Sequence, residues 1–220
     1  MGVFEPDAGC GNFVKGQDMK QALDRITAAI AVKDGPGRVL VAIAGPPGSG
    51  KSTTAEALAA QIAGAVVVPM DGFHLDNAVL AARGLLARKG APETFDVAGF
   101  ATMVSRLRGQ DEVTIPVFDR TRDIAVAGAR VIGPDAQVLL IEGNYLLLDE
   151  APWRDLAPFW DVTIAIDVPI AVLEARLTQR WLDHGLDEAA ARARAMGNDI
   201  PNARRVVAGS SRADIALRQD

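Results

Sequence analysis

Nine consecutive residues, Gly45-Pro46-Pro47-Gly48-Ser49-Gly50-Lys51-Ser52-Thr53, combine glycines with a lysine and hydroxyls in a set suited to an anionic ligand. Gly45 to Ser52 fit the phosphate-loop pattern G-x-x-x-x-G-K-[ST]. Glycines let the backbone turn its N–H groups inward around a polyphosphate, at a helix N-terminus whose dipole already favours negative charge. Lys51 would reach the β- and γ-phosphates, and the Ser52 hydroxyl would face a magnesium ion. The stretch predicts a nucleoside-triphosphate site. The alternative, a Gly/Pro-rich turn with an incidental Lys-Ser, does not account for the apolar run Val39–Ala44 before it and the alanine-rich residues 54–62 after it.

In open α/β sheets ligands sit beyond the carboxyl ends of the strands, which singles out three acids that close apolar runs: Asp71, Asp119 and Glu142. Glu142 ends the run Val138-Leu139-Leu140-Ile141 and suits a hard divalent cation, held directly or through water. Asp71 lies at the end of the next predicted strand after the loop. It is either a base that takes a proton from an attacking hydroxyl or a turn-forming Asp before Gly72. His74 follows, placed either to hydrogen-bond a substrate oxygen or to pack beside Phe73. Phe118 and Tyr145 sit just beyond strand ends, where they would line an acceptor pocket.

These residues need a scaffold, and the hydrophobic pattern supplies one. Residues 18–32 carry a helical period that Asp18 could cap, and Gly35-Pro36-Gly37 stops it. Strands are predicted at 39–44, 65–70, 113–118, 136–141 and 161–167, with a short final one at 213–217. Pro116 points to an edge or strand end. A two-stranded excursion is predicted at 124–126 and 130–132, turning around Gly128. Helices are predicted at 54–62, 76–86, from an Asp96 cap to about 108, at 170–181, 187–196 and 203–207. Strands alternating with helices predict an α/β fold, the three-layer α/β/α sandwich of P-loop NTPases with a mainly parallel sheet.

With 220 residues, 49% of them hydrophobic, the chain can fill one sizeable core, and a single domain over 1–220 is expected. A net charge of −5 argues against a broad nucleic-acid or anionic-membrane surface. The lone Cys10 excludes an intrachain disulfide and reads as a bystander. The first residues carry no basic segment followed by an apolar run, and no stretch has the roughly 18 apolar residues of a membrane span. The expectation is a cytoplasmic protein with a small-molecule substrate, no nucleic acid and no membrane partner, with a homodimer left open.

Taken together, the phosphate loop, Met70-Asp71-Gly72-Phe73-His74, Lys89-Gly90-Ala91-Pro92-Glu93-Thr94-Phe95-Asp96, Pro116-Val117-Phe118-Asp119 and Ile141-Glu142-Gly143-Asn144-Tyr145 resemble the uridine kinase, phosphoribulokinase and bacterial pantothenate kinase family. The resemblance runs from about Val39 to Leu217. Within the family it is nearest to small bacterial nucleoside/nucleotide-kinase-like proteins labelled fructose transport system kinases. It implies an ATP-dependent kinase using Mg2+, with Asp71 as base, Glu142 supporting magnesium, and a helical lid near 176–200. Arg176 and Arg180 occupy the matching Arg-Leu-x-x-Arg positions. Four apart, they share a helix face, where their guanidinium groups either neutralise γ-phosphate charge or pair on the surface with Glu174 and Asp183. Arg192, Arg194, Arg204 and Arg205, interleaved with acids, read mostly as solvated faces.

Two departures bear on the substrate. His74 stands where uridine kinases usually carry Tyr, and the full substrate-pocket pattern of pantothenate kinases is not reproduced. The expected reaction is transfer of the γ-phosphate to a sugar hydroxyl, fructose-like first. The alternatives are a nucleoside or pantothenate-type kinase, a regulatory NTPase that hydrolyses ATP without an acceptor, and a nucleotide binder without catalysis. The Asn-Lys-x-Asp pattern of switch GTPases is absent from the sequence.

Overall fold

The computed structural model of the chain describes residues 19–33 and 37–219. The expectations for Asp18 as a cap, for Cys10 and for the helix stop at Gly35-Pro36 fall outside them. The sheet is built from β1 (Val39–Ala44), β2 (Ala65–Pro69), β5 (Val138–Gly143), β6 (Val162–Asp167) and β7 (Ile215–Arg218). Its order is β2-β5-β1-β6-β7, with every neighbouring pair parallel. β1 and β5 lie inside, which is why both read as unbroken aliphatic runs rather than alternating ones.

Successive β1 side chains go to opposite faces. Leu40, Ala42 and Ala44 join one core with Leu139, Ile141, Phe100 and Leu107, the last two from α4 (Val97–Gly109). Val41 and Ile43 join a second core on the other face. There they meet Ile26 of α1 (Met19–Ala31), Leu58 of α2 (Lys51–Gln61), and Leu173 and Leu177 of α5 (Ile170–Asp183). This is the expected three-layer α/β/α sandwich. α4 starts where its sequence says, with the Asp96 carboxylate accepting the Gly99 N–H at 2.9 Å. Its C-terminal end is closed by buried Arg38, which donates to the carbonyls of Leu107 at 3.0 Å and Gln110 at 2.9 Å.

β3 (Val113–Asp119) and β4 (Ile124–Ile132) form a separate antiparallel ribbon. Here the turn expected at Gly128 is corrected: β4 runs straight through it as one strand. Gly128, at φ 66°, instead sits where the register shifts opposite Pro116. A proline donates no ladder bond, and the extra residues on β4 are absorbed as a bulge. α2 also begins three residues earlier than its alanine pattern indicated, at Lys51.

Beyond the sheet, α3 (Asn77–Ala82) is capped by Asp76, and α6 (Glu188–Arg194) by Asp187. A π-turn (Ala195–Asp199) joins α6 to α7 (Ile200–Gly209). Among the described residues no helix is long and apolar enough to cross a membrane.

Candidate active site

The nucleotide side grows out of β1. Gly48 at φ 80° and Gly50 at φ 83° take the left-handed backbone that side chains rarely adopt, so the loop can curl before α2. Gly50 is the N-cap and offers no side-chain cap. Thr54 N–H bonds Gly50 O at 3.0 Å, so the N–H groups of Lys51, Ser52 and Thr53 lie ahead of the helix ladder, where an anion is favoured.

Lys51 is half-buried beside Glu142 and Asp71. Burial pulls its ammonium below its ordinary value, against the opposing pull of those two acids. Glu142, 6% exposed, is pushed up by burial, against the attraction of Lys51 and a hydrogen bond from the Ser52 hydroxyl. Ser52 and Glu142 therefore place two hard oxygens side by side. Among the described residues no group of three or more His, Cys, Asp or Glu forms an all-protein cage. That donor set fits magnesium shared with phosphate oxygens rather than held by protein alone.

The facing side is built on a 3-10 turn, Met70–Phe73, that follows β2. A Cβ on Gly72 would lie 2.5 Å from the Pro116 carbonyl, so only glycine lets this turn rest on the ribbon. That close approach brings Arg120, in the β3–β4 connection, to Asp71: Nη2 donates to Oδ2 at 2.8 Å. The Asp71 carbonyl accepts the His74 N–H at 3.1 Å and its Nδ1–H at 2.8 Å, leaving Nε2 as the acceptor nitrogen of the neutral ring. His74 sits between Phe95 and Phe118, with ring centroids 4.1 Å and 4.6 Å away. Burial lowers its pKa, against Asp71.

A cavity of about 720 Å³ joins the two sides. Pro47, Gly48, Gly50, Lys51, Ser52, Thr53 and Glu142 line it from the nucleotide side, Asp71, His74 and Phe118 from the other, and Arg180 from α5. Other expected residues are placed elsewhere. Tyr145 is fully buried, its hydroxyl donating to Gly90 O at 2.5 Å and its ring packing on Trp153, so it is core rather than pocket wall. Asp119 turns to its own connection, accepting the Arg122 N–H at 3.0 Å. Arg176 donates to Gly48 O at 3.4 Å and lines a neighbouring hollow together with Arg180. Gly45 and Pro46 line a hollow on the other side of the loop, and Ser49 is buried.

The cavity also holds residues that sequence reasoning missed. Lys89, Arg120, Asp123 and Asn144 line it, as do Trp181, Arg194 and Asp199. Trp181 Nε1–H donates to Asp199 at 2.6 Å, and the Arg194 guanidinium lies 5.1 Å from the Trp181 ring centroid. The available signal for Arg120 and Asp123 was the charged tract 119–123 between two predicted strands. Arg194, expected on a solvated face, lines the cavity instead.

A phosphate loop facing a carboxylate across one cavity defines a nucleotide-dependent phosphotransferase site on an α/β sandwich. The model of the Phosphoribulokinase / Uridine kinase family matches residues 40–184, and the chain belongs to that family. Protein YggC of Escherichia coli is 36% identical over 207 residues, covering 91% of this chain and 86% of its own. The "Putative uridine kinase C227.14" of Schizosaccharomyces pombe is 34% identical, covering 83% of each chain. Among solved structures, a "putative fructose transport system kinase" from Silicibacter sp. TM1040 superposes with a TM-score of 0.84 at 55% identity, over 90% of this chain and 98% of that one. The protein is a kinase of this family, a phosphotransferase with an alcohol group as acceptor.

Proposed function

We propose that the chain transfers the γ-phosphoryl group of ATP to a hydroxyl of a small sugar, with a fructose-like compound the preferred acceptor. The observation that carries this reading is the position of Asp71 on the same cavity as Lys51, Ser52 and Glu142. Asp71 takes the proton of the acceptor hydroxyl as its oxygen bonds to the γ-phosphorus and the bond to the ADP oxygen breaks. Lys51 and the N–H groups of the loop hold the phosphates. Arg180, on a lid spanning roughly residues 176–200, meets the charge that develops during transfer, and Arg176, outside the cavity and bonded to the loop at Gly48 O, would reach that charge on lid closure. Magnesium, held by Ser52 and through Glu142, would supply charge neutralisation between the β- and γ-phosphates. The fructose-like preference draws support from the 55%-identical structure and its printed description.

A panel of sugars, polyols, nucleosides and pantothenate, screened for ADP release with product followed by mass, tests the proposal. A sugar should stimulate ADP release and gain one phosphoryl group. Phosphate release that no acceptor stimulates, in protein confirmed to bind ATP, would assign the chain to hydrolysis instead.

A further inference from the structure

An ammonium has three donors, and in Lys89 all three are spent. Nζ reaches Asn77 Oδ1 at 2.7 Å, the Asp123 carbonyl at 2.7 Å and Asp123 Oδ2 at 2.9 Å, with the Phe118 ring centroid 5.1 Å away. Its side chain is only 10% exposed. Its backbone is fixed as well, since buried Asn198 donates to Lys89 O at 2.9 Å. Lys89 lines the acceptor side of the cavity, yet it has no donor left for a substrate carboxylate or phosphate.

What Lys89 does hold is Asp123. At φ 55°, Asp123 is the non-glycine residue of positive φ among the described residues. Such a conformation is uncommon outside glycine, Asn and Asp, and it persists here because both its carbonyl and its carboxylate are tied to Lys89. Asn77 Nδ2–H adds a third bond, to Oδ2 at 3.0 Å. The other carboxylate oxygen, Oδ1, has no hydrogen-bond partner among the described residues, while the side chain is 56% exposed and lines the cavity. Although its partial burial works the other way, the bonds from Asn77 and Lys89 hold this carboxyl below its ordinary value and keep it ionised.

We infer that Asp123 is the specificity-determining residue of the acceptor subsite, and that the acceptor is an uncharged polyol. This rests on the kinase reading above and names its substrate class. An ionised carboxylate only accepts hydrogen bonds, so a ligand group that meets the solvent-exposed Oδ1 is a donor such as a hydroxyl. A carboxylate-bearing or phosphate-bearing acceptor would meet the Asp123 charge with no free Lys89 donor to offset it. A cationic acceptor would meet the ammonium that already neutralises Asp123. Arg120, also on this wall, is 71% exposed and places one of its five donors on Asp71 at 2.8 Å, so its charge lies at the point of transfer. His74 and Phe118, packed ring against ring, line the cavity, and their exposed carbons offer an apolar surface for the C–H side of a sugar.

The test measures acceptor binding by calorimetry in the Asp71→Asn protein, loaded with ATP-magnesium, so that affinity is read whether or not transfer occurs. The probes are fructose, ribose and xylitol, set against gluconate, glycerate and glucosamine. An uncharged probe should bind tightest. Adding Asp123→Asn should weaken it about 10- to 100-fold, the loss expected when a hydrogen bond to a charged group goes, while ATP affinity stays within about twofold. Asn tolerates the left-handed conformation, so this variant keeps the connection folded. Lys89→Met, which releases Asp123, should weaken the same probe. Tighter binding by an acid or an amine, no binding by any uncharged probe, or undiminished affinity in Asp71→Asn/Asp123→Asn would overturn the inference. Failure of the kinase reading shows separately, as hydrolysis without a phosphorylated product in the parent protein.

Discussion

The two sides of the cavity are held by different physics. The nucleotide side rests on β1, β5 and the start of α2, and its shape comes from backbone packed between two cores. The facing side rests on a 3-10 turn and a two-stranded ribbon, and its shape comes from side-chain pairs, Asp71 with Arg120 and Lys89 with Asp123. Arg120 is 71% exposed, and an exposed ion pair contributes little to stability, typically about 0–1 kcal/mol. One side is therefore sequence-local, whereas the other is set by partners far apart in the chain. Such a division suits a family whose name joins different acceptors.

If the division is real, substitutions on the two sides should fail differently. The largest effect belongs to Lys51→Ala, which should lose ATP-magnesium affinity and transfer together, with turnover falling on the order of 10²- to 10³-fold. Calorimetry beside a steady-state assay checks it, and unchanged affinity would remove the phosphate-loop assignment. Next comes Arg180→Ala, for which the proposed role at the transferring group predicts turnover lower by about 10²-fold while ATP affinity changes far less. Equal losses in affinity and turnover would place Arg180 with the nucleotide wall instead.

The smallest effect is a pH dependence on the acceptor side. Burial holds the folded-state pKa of His74 below its ordinary 6.5. As pH falls through 6.5, the unfolded chain takes up a proton that the folded one refuses, so stability is lost on acidification and is fully present above that value. Denaturant midpoints should therefore drop from pH 7.5 to below 6, and His74→Phe should flatten this trend while keeping the stack between Phe95 and Phe118. An equally steep profile in the variant would assign the dependence to other groups.

The same contrast explains what was legible in the sequence. β1 could be read residue by residue, and β5 to within two residues at each end (expected 136–141, found Val138–Gly143), because burial on both faces writes itself as an uninterrupted aliphatic run. The phosphate loop could be read because its requirements are contiguous. Arg120 could not, because its role depends on Gly72 lying against Pro116, which places the two partners 49 positions apart in one contact. Lys89 and Asp123, 34 positions apart, are hidden for the same reason, and the bulge at Gly128 turned an apparent hairpin into one strand. Tyr145 misled in the opposite direction: its place just past a strand end suggested a pocket, but its ring fills the core beside Trp153.

Asp71 joins the two sides, and the Asp71→Asn protein tests the account most directly. General-base removal typically costs on the order of 10²- to 10⁴-fold in rate. With the best sugar acceptor, phosphorylated product measured by mass should fall by that factor. ATP-magnesium affinity should stay within about twofold of the parent, because Lys51, Ser52 and Glu142 remain. Transfer at the parent rate would contradict the assignment of Asp71 as the base.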